Sequence, residues 1–449
     1  MSLGACRLKK RILVLAVGLW AILSFPSCGG SSRPKDPPSG LADRVLASQG
    51  VTATFSFGGL VILNGYNDTI PGVAHLQAGN SPGLMAVSPT RNIAATFDSA
   101  SNNVYAVDTF RETDIGNVRI QGPTSSMVFP TAQAIGYAAI PTATVSGFSF
   151  LGAVDILNFV TSQLTTIAVS NAQTVIANSN GTQLLVFSND SNSVTVLSPA
   201  NAVPPVDLSC FSAPNTVCTV VPGFDRPVWA VVNGNTAYIL NCGAECGGVQ
   251  ASVQTLDLGT LAVGTPIPVN GATIGLLSGS QLFVAGKGTP TGPLCTSIAS
   301  AAKTAATYCG TLDIVDLSTM TDPYYNNPSA EIAITDGFHD RIDMTTHGQV
   351  FVGSYDCTNV GNVNNPSGEV RGCLAIYRTA DNSVVIPPDN GDVDGLQSFT
   401  TRDVEYVAEG GNLRVYYTLT DTLLINDFLP QGTINIVGYV GDVKAIDFF

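Results

Sequence analysis

A short apolar run closing on Asp, Asn or a near relative returns again and again along this 449-residue chain. It reads Leu60-Val-Ile-Leu-Asn64, Val104-Tyr-Ala-Val-Asp108, Ala153-Val-Asp-Ile-Leu157, Val194-Thr-Val-Leu197, Val253-Gln-Thr-Leu-Asp257, Leu312-Asp-Ile-Val-Asp316, Leu374-Ala-Ile-Tyr377 and Leu423-Leu-Ile-Asn426. Each run follows other strand-like runs. A period of tens of residues built from short strands constrains the fold to a propeller or a solenoid, because each unit buries its faces only against its neighbours.

Aligned on these runs, the units give a strand order. Gly79-Asn-Ser-Pro-Gly83, Leu84-Met-Ala-Val-Ser-Pro89, Ile93-Ala-Ala-Thr-Phe97 and Ser101-Asn-Asn-Val-Tyr-Ala-Val-Asp108 together resemble the bacterial YVTN-type, lactonase-like β-propeller repeat. That resemblance implies four-stranded blades with the recurrent run as the fourth strand. Blade 3 is compact, whereas the recurrent runs of blades 3 to 6 are spaced 60, 59 and 61 residues apart (Val196 to Leu256, Val315 and Ile376), so blades 4 to 6 carry insertions. At the ends, Val51 to Phe57 and Leu60 to Asn64 would combine with Thr433 to Val437 and Val443 to Phe448 into one composite blade that removes two exposed edges. The count is then eight blades in an all-β propeller over residues 51–449. Seven is the alternative, if Phe110 to Asn158 or the last unit is not a full sheet.

The beginning of the chain reads as an address. Arg7, Lys9, Lys10 and Arg11 precede an apolar stretch from Ile12 to Phe25, too short for an ordinary spanning helix, and Ser27-Cys28-Gly29-Gly30 follows. Ending on a small residue and then Cys, this segment resembles a bacterial lipoprotein signal. The resemblance implies removal of residues 1–27 and lipid attachment at Cys28. Residues 28–50 then form the lipidated Cys and a flexible tether, since Gly29 to Gly40 has almost nothing to bury. The expected location is the bacterial cell envelope, with the membrane as a partner through the lipid.

Removing residues 1–27 leaves 15 basic against 33 acidic residues, a net charge near −18. Such a surface excludes nucleic acid as a partner, because phosphate binding needs basic residues. Of the ten cysteines, eight remain after Cys6 and Cys28 are set aside. An even number in an exported chain argues for disulfides, and although many pairings are open, proximity favours Cys210–Cys218, Cys242–Cys246, Cys295–Cys309 and Cys357–Cys373. Cys242 and Cys246 also have a zinc-like spacing, but no second Cys/His pair accompanies them.

Three features point to binding. The insertions of blades 4 to 6 carry the cysteines and fall on one face of the ring, where loops on a rigid scaffold commonly bind partners. Gly223-Phe-Asp-Arg226, Gly337-Phe-His-Asp-Arg341 and Ser398-Phe-Thr-Thr-Arg402-Asp403 put Arg226, Arg341 and Arg402 in matching places, either as an anion site with His339 nearby or as clamps between blades. Asn390, Asp392, Asp394 and Gly395 follow the first half of a calcium loop, although Thr401 stands where the closing Glu belongs. Apart from that calcium site, no cofactor is expected. Enzyme readings are weaker. The three histidines, His75, His339 and His347, lie in different contexts, and a catalytic set of lactonase type cannot be matched residue by residue. The expectation is a binding or scaffold module for another envelope protein or an anionic ligand, with a lactonase-type hydrolase as runner-up.

Overall fold

The structure, a computed structural model, describes residues 37–54, 56–72, 75–202, 209–210, 217–288, 309–357, 372–387 and 391–447. They form eight antiparallel blades in a ring, seven contiguous in sequence and one shared between the ends of the chain. Blade 1 shows the pattern, with Pro82–Val87, Ile93–Asp98, Asn103–Asp108 and Thr113–Arg119 paired in that order. The first strands of the next six blades are Ser126–Val128, Ala172–Ala177, Pro227–Asn233, Ile274–Ser278, Phe338–Met344 and Val393–Phe399. Neighbouring first strands pack side by side around the axis and return to blade 1 through Val443–Ala445. The core lies between blades, as where Ile93, Ala95 and Phe97 of blade 1 meet Ala138 and Ile140 of blade 2. Among the described residues no helix is long and apolar enough to cross a membrane.

In seven blades the recurrent run is the third strand, not the fourth; in blade 7 the third strand is Asn412–Tyr417, and Leu423 lies in the fourth. Four-residue-scale hairpins look alike in sequence, and nothing in the run marks how far from the axis it sits. Its closing Asp or Asn has a local purpose. Asp108 Oδ1 accepts the N–H groups of Phe110 and Arg111 at 2.9 and 2.8 Å, and Asp257 and Asn158 bond the same two positions after them. Side chains of this kind pin the turn into the outermost strand. Four places after the closing residue stands a non-glycine residue of positive φ in seven blades: Asp68, Glu112, Ser162, Leu261, Met320, Asn382 and Asp421. A left-handed residue there matches the twist of the hairpin.

Three of those residues are acids, and each takes an arginine from the preceding blade. Arg378 of blade 6 pairs with Asp421 of blade 7, Arg402 of blade 7 with Asp68 of blade 8, and Arg44 of blade 8 with Glu112 of blade 1. These three clamps stand at consecutive interfaces around the closure.

The closing blade also differs from expectation. It holds three N-terminal strands, Arg44–Gln49, Gly59–Asn64 and His75–Leu76, and one C-terminal strand, Val443–Ala445, which takes the innermost place. The first strand therefore lies ahead of Val51, inside the span read as tether. Thr433–Ile434 pairs instead with Asn412–Tyr417 in blade 7. The segment from Phe110 to Asn158 does supply a full sheet for blade 2.

One buried group works against the fold. Glu405, in Val404–Glu409 of blade 7, is fully buried, and among the described residues no side chain donates a hydrogen bond to its carboxyl. Burial, reinforced by the charge of Asp343, raises its pKa well above the ordinary 4.5. The folded protein therefore holds a proton that the unfolded chain releases above that value, and stability falls as pH rises through it. Glu405→Gln is expected to stabilise the protein by about 1–3 kcal/mol at pH 7. The gain should vanish below pH 4.5, where both states are neutral, and urea unfolding across this range checks it.

Candidate ligand-binding cavity

Strands alternate in direction within a blade, so second-to-third turns and blade-to-blade crossovers share one face, and first-to-second and third-to-fourth turns share the other. At the first of these faces the first strands of blades 2 to 6 enclose a cavity of about 600 Å³. That volume suits a small molecule. Trp229, Phe338, Tyr355, Phe187 and Ile274 supply apolar walls, and Ser126, Gln173, Asn189, Arg226, Asp340 and Arg341 supply polar groups. Phe338 and Tyr355 pack with ring centroids 5.3 Å apart.

The corner that presents Arg226 is tied from several sides. Asp225 Oδ2 accepts the N–H groups of Val249 and Gln250 at 2.9 and 2.7 Å, and Cys242 N–H donates to Arg226 O at 2.8 Å. The Cys242–Cys246 disulfide closes the short helical turn beside it, and Cys246 lines the cavity. Arg226 itself has φ +59°, a conformation a non-glycine residue holds only when its surroundings impose it. Its guanidinium makes no hydrogen bond among the described residues and stands 3.6 Å from Asp190, which is largely in solvent. It is a cation fixed by its backbone and left open at its tip.

Arg341 is more committed. Its Nη1 donates to Asp340 Oδ2 at 2.8 Å and to Asp340 O at 2.9 Å, and its Nε donates to Asp394 O at 2.7 Å. Burial pushes the Asp340 carboxyl up to about 6, Arg341 opposes this, and Asp394 and Asp442 add to it. Asp340 Oδ1 has no partner among the described residues.

The other sequence candidates lie apart. His339 is fully buried, donates from Nε2 to Thr335 O at 2.8 Å, and packs on Gly310 outside the cavity. Burial brings its pKa down to about 4, so it is neutral. Arg402 follows the first strand of blade 7 where Arg226 precedes that of blade 4, which puts it on the opposite face with Asp68 at 2.7 and 2.8 Å. Asp394 accepts Tyr439 Oη–H at 2.5 Å and Asp392 accepts Asp356 N–H at 3.0 Å, while Asn390 and Cys28 lie outside the described residues. Among the described residues no three His, Cys, Asp or Glu side chains group as metal ligands. Cys210–Cys218, Cys242–Cys246 and Cys357–Cys373 are paired, and the proposed Cys295–Cys309 pair involves Cys295, which lies outside the described residues. Sequence reasoning passed over Trp229 and Tyr355 as cavity residues, whereas Asp340 stood out beside Arg341. The position of Trp229 three residues after Arg226, at the start of a first strand, was the available signal.

No family model matches the chain, and no curated protein matches it. Among solved structures it is similar to the dihydro-heme d1 dehydrogenase NirN in complex with DHE, at 12% identity and TM-score 0.58, over 92% of this chain and 77% of that one. It is also similar to hydrazine synthase of Kuenenia stuttgartiensis, at 12% identity and TM-score 0.43, over 75% and 76% of the two chains. At such identities the likeness to NirN shows the propeller fold alone.

Proposed function

We propose that this protein is a propeller of the bacterial cell envelope, held to a membrane by lipid on Cys28, that binds a small anionic ligand with an apolar portion in its central cavity. The observation that carries the reading is Arg226, a positioned guanidinium that makes no hydrogen bond among the described residues, on a cavity walled by Trp229, Phe338 and Tyr355. A carboxylate on the ligand takes the guanidinium fork, and its apolar body lies against the rings. The three disulfides among the described residues support an oxidising compartment. The hydrolase reading keeps one supporting observation, the Asp340 carboxyl near neutrality in the cavity. Among the described residues the cavity lining includes no histidine to serve as its base.

Trp229 is the only tryptophan beyond the signal segment, so its emission reports the cavity directly. Benzoate is expected to change that emission saturably, inorganic phosphate less so, and Arg226→Ala to abolish the response while unfolding within about 1 kcal/mol of the parent. An unchanged response in Arg226→Ala overturns the site. Below pH 6 Asp340 takes up a proton and stops competing for Arg341. Benzoate affinity should therefore rise on acidification from pH 7 to 5, by at most about tenfold per pH unit for one linked proton, and Asp340→Asn should flatten the profile.

A further inference from the structure

The face opposite the cavity carries a graded ring of turn tips. Two places after the closing residue of the third strand, blades 7, 8, 1 and 2 present Leu419, Tyr66, Phe110 and Val160. Leu419, Tyr66 and Val160 are 50%, 74% and 76% exposed, and Phe110 is half-buried. The same position is Gly259, Ser318 and Ala380 in blades 4, 5 and 6. The apolar tips thus occupy adjacent blades on one half of the ring.

The chain enters the fold in the middle of that half. Ser39 donates from its N–H and Oγ to Glu112 at 2.7 and 2.6 Å, and Glu112 lies in the turn that carries the Phe110 tip. Arg44, which begins the second strand of blade 8, bonds the same Glu112. Cys28 is nine residues before Pro37, a reach of at most about 30 Å even fully extended. The six-residue strands put the cavity face roughly 20 Å farther along the axis.

We propose that the half-ring of blades 7, 8, 1 and 2 on this face rests on the lipid surface to which Cys28 is attached, with Tyr66, Val160 and Leu419 entering the headgroup layer and the cavity turned outward. The inference rests on the lipid-anchor reading. Each tip adds little apolar area, but the tether supplies the high local concentration that makes weak contacts count. Tyr at a membrane interface keeps its ring in the apolar part and its hydroxyl in water.

The test uses the lipidated full chain in phosphatidylcholine vesicles containing headgroup spin-labelled lipid. Val160→Trp and Leu419→Trp add emitters on the proposed contact half, and Val249→Trp, at a residue 85% exposed on the cavity face, is the control. The expected result is at least roughly twofold stronger quenching of the added emission at 160 and 419 than at 249, with Trp229 unaffected. Equal quenching at all three positions, or stronger quenching at 249, in protein that floats with the vesicles overturns the contact surface and leaves the anchor standing. A parent chain that does not float, matched by Cys28→Ala, overturns the anchor reading and the contact surface with it.

Discussion

Arg44→Ala is expected to destabilise the protein by about 3–5 kcal/mol, because it strands buried carboxylates on both sides of the closure. Arg44 is 4% exposed, and its Nη1 reaches Glu112 Oε1 at 2.8 Å while its Nη2 and Nε reach the two oxygens of Asp447 at 2.7 and 2.8 Å. One guanidinium thus ties the first strand to the last residues of the fold and to blade 1. Arg44→Lys keeps the charge but loses the planar fork, and should fall between the two. Guanidinium-chloride unfolding of the three proteins decides the matter. A loss below about 1 kcal/mol in Arg44→Ala would show that the clamp behaves as an ordinary surface pair.

Arg402→Ala is expected to cost a similar amount, again about 3–5 kcal/mol, in contrast to Arg226→Ala. The two arginines look equivalent in sequence, each following a Gly/Ser-Phe pair. Arg402, however, forks onto Asp68, which is 3% exposed, and also bonds Gly65 O and Tyr406 Oη. Removing it leaves a buried carboxylate of blade 8 and the hydroxyl of Tyr406 without their cation. Asp68→Asn in the Arg402→Ala background should recover part of the loss, because the uncompensated charge is then gone. If Arg402→Ala and Arg226→Ala unfold alike, the distinction drawn between clamp and ligand site fails.

The propeller and its eight blades were legible because the recurrent run marks every blade once, and because the Asp or Asn that closes it is required by the turn chemistry. The frame was not legible. Val104-Tyr-Ala-Val-Asp108 has one buried apolar pattern whether it stands third or fourth from the axis, and only the pairing of Asn103–Asp108 with Thr113–Arg119 places it third. The same one-strand slip explains Arg402, matched to Arg226 and Arg341 by its neighbours in sequence but set a strand later in its blade. Val51 to Phe57 looked like a strand by composition, whereas Arg44–Gln49 hid among charged and polar residues that the closure buries. Arg226 and Arg341 both line the cavity. His339 does not join them, since the bulge between His339 and Arg341 turns neighbouring side chains apart.

The closing blade carries a consequence for how the molecule comes into being. Its innermost strand pairs Val45, Leu46 and Ala47 with Ala445, Lys444 and Val443, and the contact of Arg44 with Asp447 spans 403 residues. No growing chain can make those pairs until Val443–Ala445 has been synthesised, so seven blades can assemble in order while the eighth waits for its innermost strand. Long-range pairing of this kind is slow and leaves sheet edges open in the interval. Loss of Val443–Ala445 would remove none of the seven contiguous blades, yet it would leave the closing blade with three strands, all from the beginning of the chain, and the inner edge of Arg44–Gln49 unpaired.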